Sequence, residues 1–185
     1  MEIERVMVFV DGSNFYRCLK QEFGRHRIDF LALGKKLAGQ RKLIRIYYYN
    51  TVVCREDDEK RYKDQQRFLE RLRSVPYLQL QLGRLEKRGN TVVQKGVDVK
   101  IATDMLRFAY SNALDTAILV SGDSDFVPVV NAVKDLGKHV ENAFVRSGQS
   151  RQLRQTCDRF ILLDADFLEG CWIEQGPKKD AGGYY

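Results

Sequence analysis

Only two histidines, His26 and His139, occur in the 185 residues, and they stand far apart in the chain. A His-built metal site or a nucleophile–His triad therefore has little to be made from. The four cysteines, Cys18, Cys54, Cys157 and Cys171, are equally scattered. No close pair offers the spacing of a zinc cluster or a disulfide framework, so they read as incidental or buried thiols in a reducing compartment. No apolar run approaches the length of a membrane span, and the opening "MEIERVMVFVD" lacks the organisation of a secretory signal. There is no glycine-rich phosphate loop, no internal repeat and no low-complexity segment before the C-terminal end. These absences point to a soluble cytoplasmic protein with no membrane partner.

What the chain does contain is enough apolar matter for a core, 44% of its residues. That suits one compact domain, expected over 1–170, with 171–185 as a disordered tail. The net charge is +6. The excess is compatible with a polyanionic partner without demonstrating one. Basic residues gather at Arg25–Arg27, Lys35–Lys36, Arg41–Lys42, Arg84–Arg88 and Arg151–Arg159. Nothing in the sequence decides between a monomer and a homo-oligomer.

Apolar runs alternate with helical patterns along the chain. "RVMVFVD" (5–11) reads as a buried strand ending in a charge. The helix after it has Ser13 or Asn14 to cap it and Gly24 to stop it. "FLALGKKLAG" suggests a second helix, and "LIRIYYYNTVV" (43–53) a strand rich in β-branched and aromatic residues. A loop at 55–60 leads into an amphipathic helix with Tyr62, Leu69 and Leu72 at helical spacing. "YLQLQLGRLEKRGNTVVQK" predicts a strand and then a hairpin turning at "RGN". "GVDVKIATDMLRFAYSNA" (96–113) is a helix that sets Asp98, Ala102 and Met105 on one side. "TAILVSGD" is a strand buried on both faces, "FVPVVNAVKDLG" a helix with Pro128 in its first turn, and "KHVENAFV", "SRQLRQTCD" and "RFILLD" a strand, short helix and strand. This alternation predicts an α/β fold with a mainly parallel sheet.

The stretch "LVSGDSDF" (119–126) is the informative one. It runs an apolar strand into two aspartates one residue apart, and charge beside a core costs free energy unless it is paired or binds a cation. Parallel strands put all their carboxyl ends on one edge, and open α/β sheets bind ligands where the strand order reverses. Asp11 closes the first strand, Asp123 and Asp125 follow the "AILV" strand, and Asp98 opens the helix between them. Four carboxylates from three segments thus gather at one rim. Oxygen donors without His or Cys suit a hard ion such as Mg²⁺ or Mn²⁺. The alternative is that each strand-end residue is only a helix cap, with Ser124 or Asp125 capping "FVPVV". Spacing alone leaves both open.

The blocks "VFVDGSNFY", "KGVDVKIATDM" and "LVSGDSDFVPVV", with "GKHVENAFV" and "RQTCDRFILLD" behind them, resemble the NYN domains of the PIN-like nuclease superfamily, in particular the LabA-like branch. The resemblance covers roughly residues 5–165. It implies a three-layer α/β/α sandwich and metal-dependent hydrolysis of RNA phosphodiester bonds, leaving a 5′-phosphate and a 3′-hydroxyl. By position, Asp11, Asp98, Asp123 and Asp125 match the family's metal-site and catalytic acids, and Asn14 and Ser121 the polar residues that orient them. Asp104 matches a further recurrent acid, but helical geometry turns it away from Asp98, and an i, i+4 pair with Lys100 accounts for it. The cofactor implied is Mg²⁺ or Mn²⁺, and the partner is RNA, single-stranded or looped.

Around that site, Lys95, Arg84, Lys87 and Arg88 are candidates for phosphate contacts, and Tyr47–Tyr49 offer either stacking surface to bases or core packing. The alternative function is a non-catalytic RNA-binding or regulatory module that keeps the acids as a structural cation site. A phosphatase is a distant third: "DGSN" superficially suggests an aspartyl-phosphate nucleophile, but no second Asp follows Asp11 by two residues.

Overall fold

The computed structural model describes residues 3–52, 59–88 and 91–173, with 84–88 and 91–95 described by backbone alone. Eight strands and seven helices follow in the order β1 (Arg5–Asp11), α1 (Gly12–Phe23), α2 (Phe30–Ala38), β2 (Lys42–Asn50), α3 (Glu59–Arg73), β3 (Leu78–Leu82), β4 (Arg84–Arg88), β5 (Thr91–Lys95), α4 (Val97–Tyr110), β6 (Thr116–Val120), α5 (Val127–Asp135), β7 (His139–Phe144), α6 (Arg151–Thr156), β8 (Arg159–Leu162) and α7 (Ala165–Leu168). A 3₁₀ turn, Ser124–Phe126, precedes α5. Six strands form one sheet in the order β3-β2-β1-β6-β7-β8, every neighbouring pair parallel. The predicted hairpin is present as the antiparallel pair β4–β5, outside the main sheet.

Alternation of side chains on the strands explains the three layers. Val6, Val8 and Val10 of β1, Ile46 and Tyr48 of β2, and Ile118 and Val120 of β6 join Phe15 and Leu19 of α1, Leu33 and Leu37 of α2, Leu72 of α3 and Leu168 of α7. Met7 and Phe9, Tyr47 and Tyr49, and Ala117 and Leu119 face the other way, onto Ile101 and Met105 of α4, Val130 and Val133 of α5 and Leu153 of α6. The sheet is buried on both faces, as an all-parallel sheet must be. Tyr47, Tyr48 and Tyr49 are 4%, 2% and 0% exposed, so they are core residues and present no surface to a base.

Two expectations shift in detail. The caps are not Ser13 or Asn14 and Ser124 or Asp125: Asp11 caps α1 by accepting from Asn14 N, and Asp123 caps the 3₁₀ turn by accepting from Asp125 N. Each aspartate is the last polar residue before the first unsatisfied amides, where a carboxylate is the best acceptor available. Within the segment expected as a tail, Cys171 is buried and Trp172 pairs with Ile28 across an antiparallel bridge, and α7 just before it supplies the buried Leu168. Residues 174–185 lie outside the described residues, as does most of the loop expected at 55–60. No described helix is long and apolar enough to cross a membrane.

The amino edge of the sheet is stitched by ion pairs. Arg5 binds Asp115 through Nε and Nη2 at 3.0 and 2.7 Å, which holds the Asp115 carboxyl down to about 2, the Arg5 side-chain hydrogen bonds being the largest cause. Arg41 binds both oxygens of the buried Glu141 at 2.9 and 3.0 Å. Such a fork satisfies two buried charges at once. Glu141→Ala leaves Arg41 with Glu4 at 3.2 Å and the Leu37 and Ala38 carbonyls, and lowers stability by about 1–2 kcal/mol, less than breaking a fully buried pair because those partners and some solvent remain. Lys63→Ala removes only an exposed pair across one turn of α3 and costs under about 0.5 kcal/mol. Urea denaturation of both variants checks the contrast; equal losses would contradict it.

Candidate active site at the carboxyl edge of the sheet

The strand order reverses between β1 and β6: the chain builds β2 and β3 to one side of β1, and β7 and β8 lie beyond β6 on the other. Connections diverge there, and in open α/β sheets such divergence makes the crevice in which ligands bind, above the carboxyl ends of the two strands. Asp11 is the last residue of β1 and is 5% exposed. Its Oδ1 accepts from Asn14 N at 3.2 Å and its Oδ2 from Ser121 Oγ at 3.1 Å. Ser121, fully buried, accepts in turn from Asp123 N at 3.2 Å. Asn14 Oδ1 accepts from Gly122 N at 3.2 Å, so the turn after β1 and the turn after β6 are tied together twice. Behind them Asn142 donates through Nδ2 to the carbonyls of Leu119 and Ser121 at 3.1 and 2.8 Å, fixing the end of β6 to β7.

The glycines beside these acids are there for room. A Cβ on Gly122 would stand 1.9 Å from the Gly148 carbonyl oxygen, and one on Gly12 would stand 2.4 Å from the Tyr48 ring. The Gly148 carbonyl, and for Gly12 the Tyr49 carbonyl oxygen at 2.6 Å beside the buried Tyr48 ring, cannot yield by so much, which explains why "DG" and "SGD" flank the strand ends.

Asp98 lies in the first turn of α4 and is exposed; Asp123 is half-buried and Asp125 exposed. The four acids feel one another. Burial pushes the Asp11 carboxyl up to about 6, opposed by the bonds from Asn14 and Ser121 and reinforced by the charges of Asp98 and Asp123. Asp98 is raised by burial and then by Asp123 and Asp125. Among the described residues none of the four forms an ion pair. Burial is the larger cause in both, and like charges held together without a counter-cation add to it. Nor do three of them converge as a ready coordinating group: among the described residues no such set of His, Cys, Asp or Glu occurs. The donor chemistry, all carboxylate oxygen, nevertheless fits a hard divalent ion.

Asp104 is elsewhere. It is 7% exposed, accepts from the Tyr49 hydroxyl at 2.9 Å and pairs with Arg107 at 2.9 Å. Its ion partner is thus Arg107, three residues on, and not Lys100. The reason is burial: Asp104 lies on the sheet side of α4, where the Tyr49 hydroxyl at the end of β2 needs an acceptor. Arg84, Lys87, Arg88 and Lys95 fall on β4 and β5, whose side chains lie outside the described residues. Their backbone leads to Gly96, at φ 89°, and so into the turn of α4 that carries Asp98.

Sequence reasoning passed over one exposed aromatic near this rim, Tyr16, 45% exposed on α1. The signal was available: Phe15, Cys18 and Leu19 define the buried stripe of α1, and Tyr16 falls off it.

The family model of the NYN domain matches residues 5–164. The chain belongs to the NYN domain family. Its six-stranded parallel sheet between two helical layers is the three-layer, PIN-like α/β/α sandwich of that family. The chain is 26% identical over 170 residues to the low amplitude and bright protein LabA of Synechococcus elongatus, spanning 86% of this chain and 84% of that protein. It is also 31% identical over 71 residues to the uncharacterized protein MJ0482 of Methanocaldococcus jannaschii, spanning 30% of it. Among solved structures it is similar to a Vibrio parahaemolyticus protein of unknown function, VPA0982, at a TM-score of 0.74 and 24% identity, over 90% of this chain and 99% of that one. That likeness speaks to the fold.

A raised carboxyl is a pH-dependent strain on the NYN fold. The native Asp11 holds its proton to a pH of about 6, against an ordinary value of 3.8. Between these values the native state binds more protons than the unfolded one, so stability falls as pH rises, by about 3 kcal/mol over the window. Asp11→Asn in metal-free buffer is therefore more stable than the wild type at pH 7, by about 2 kcal/mol, and loses that advantage below a pH of about 4. Urea unfolding at the two pH values measures it. A destabilised variant at pH 7 would contradict the assignment of strain.

Proposed function

We propose that this NYN protein is a cytoplasmic, Mg²⁺- or Mn²⁺-dependent ribonuclease that hydrolyses phosphodiester bonds of single-stranded or looped RNA. The observation that carries the reading is the group of mutually repelling aspartates, Asp11, Asp98, Asp123 and Asp125, without basic partners, at the strand-order reversal of an NYN fold. Asp11, Asp98, Asp123 and Asp125 would hold the metal. When bound, a divalent ion supplies Lewis acidity, lowering the pKa of water and offsetting charge on the phosphoryl oxygens.

The chain's own residues do the rest. Ser121 and Asn14 hold the Asp11 carboxylate and the Asp123 amide in fixed relation, so two acids from distant segments keep their separation without substrate. Asp98 and Asp125, whose side chains accept no hydrogen bond among the described residues, are free to turn inward. The buried thiols fit a reducing compartment: Cys18, Cys157 and Cys171 are unpaired, and burial raises each. An unstacked strand reaches the crevice where a duplex does not. Attack by water at phosphorus with departure of the 3′ oxygen leaves a 5′-phosphate and a 3′-hydroxyl.

One observation favours a second reading. Among the described residues no three acids converge as they stand, as expected of a module that binds RNA without cutting it. Labelled RNA incubated with Mn²⁺ or with EDTA separates the two. The nuclease reading expects new 5′-phosphate ends with Mn²⁺ alone, and a loss of about a hundredfold or more in Asp11→Asn and Asp123→Asn. Mn²⁺ also raises the melting temperature of the wild type and not of these variants. RNA bound without new ends, or cleaved equally by the variants, would overturn it.

A further inference from the structure

Tyr16 belongs to a surface that the cluster of acids does not use. α1 starts at the Asp11 cap and presents Tyr16, Arg17 and Lys20 to solvent on its outer side. Gly24 at φ 66° ends the helix and turns the chain back along it. The return brings the His26 ring edge-on to Tyr16, centroids 4.5 Å apart. It also lays Arg25 over the Trp172 ring at 4.1 Å. Arg27 is exposed beside them. Among the described residues Arg17, Lys20 and Arg27 form no ion pair. Lys20 and Arg27 both crowd His26: desolvation first, then Arg27 and Lys20, lower its pKa and leave it a neutral aromatic ring.

We propose that Tyr16 and His26, flanked by Arg17, Lys20, Arg25 and Arg27, form a ledge on which single-stranded RNA lying beside the Asp11 crevice stacks a base and rests its phosphates. This rests on the ribonuclease reading given above for the substrate class. Three features together select a single strand over a plain anion. An exposed ring held by a second ring is a preordered stacking platform, and every base has a face to offer it. Unpaired cations on both sides track a phosphate backbone. The ledge also starts near the site: at 1.5 Å per residue, Tyr16 lies about 7.5 Å along the helix from the Asp11 cap and Lys20 about 13.5 Å. A folded acidic peptide would match the charge but leave the paired rings unused.

The test is binding of a short fluorescein-labelled oligouridylate in EDTA, read by anisotropy over a salt series. Cleavage in Mn²⁺ is assayed separately on the same proteins. Tyr16→Ala weakens binding about tenfold, and Tyr16→Trp restores it. Lys20→Glu with Arg27→Glu weakens binding and flattens the log–log salt slope by about 1.4, two phosphate contacts at about 0.7 each. All variants keep the wild-type melting temperature. If these variants bind like wild type while Mn²⁺-dependent cleavage persists, the ledge is wrong and the nuclease reading stands. If they lose binding in a protein that never cleaves, the ledge stands and the catalytic reading falls. Displacement of the oligonucleotide by polyglutamate at equal charge, independent of Tyr16, overturns the ledge, as does a wild type that neither binds nor cleaves.

Discussion

Negative charge is treated in opposite ways at the two ends of this sheet. At the amino edge each buried or half-buried acid has an arginine: Asp115 sits in the fork of Arg5, and Glu141 in that of Arg41. At the carboxyl edge Asp11 has none, is more deeply buried than Asp115, and has only an amide and a hydroxyl to support it. The physical result is a carboxyl near 2 at one end and one near 6 at the other. The fold pairs its acids with arginines below and leaves Asp11 without a basic partner above, and under the reading proposed here a bound divalent cation would offset that strain.

The rest of the structure serves that edge. The reversal of strand order opens the crevice, and two glycines let the strand-end turns pass close to Tyr48 and Gly148. Ser121 and Asn14 lock the turns to each other. Capping and ligand binding are not rivals here. Asp11 and Asp123 each satisfy a helix-start amide with Oδ1, which orients the carboxylate, and an oxygen that accepts one bond keeps a further lone pair. Below the rim, Asp104 works differently: its buried hydrogen bond from Tyr49 on β2 ties down α4, the helix that carries Asp98, while the exposed Arg107 on the same helix offsets its charge.

Much of this was readable in the chain. Apolar runs gave β1 as a buried strand and β6 as one buried on both faces, and helical spacing gave α3, α4 and α5 near their observed ends, because burial dictates both patterns. The hairpin was legible from its turn residues, "RGN". What failed were choices that depend on partners far off in sequence. Asp104 looked like a solvated i, i+4 acid because nothing local reveals Tyr49 overhead. The tyrosines 47–49 looked ambiguous because strand alternation does not tell whether both faces are covered. The caps were misassigned by a few residues, since Ser and Asn compete with Asp on propensity and only the geometry of the strand end decides. The Tyr16–His26 contact needs the αL turn at Gly24 to bring residues ten apart together.

Crystals grown metal-free and then soaked in Mn²⁺ test the central claim most directly, through the anomalous signal of the ion. The account predicts a peak within bonding distance of oxygens from Asp11, Asp123 and at least one of Asp98 and Asp125, with Asp98 or Asp125 turned inward. A fully soaked crystal with no peak at this edge, Asp11 still bonded only to Asn14 and Ser121, would contradict it.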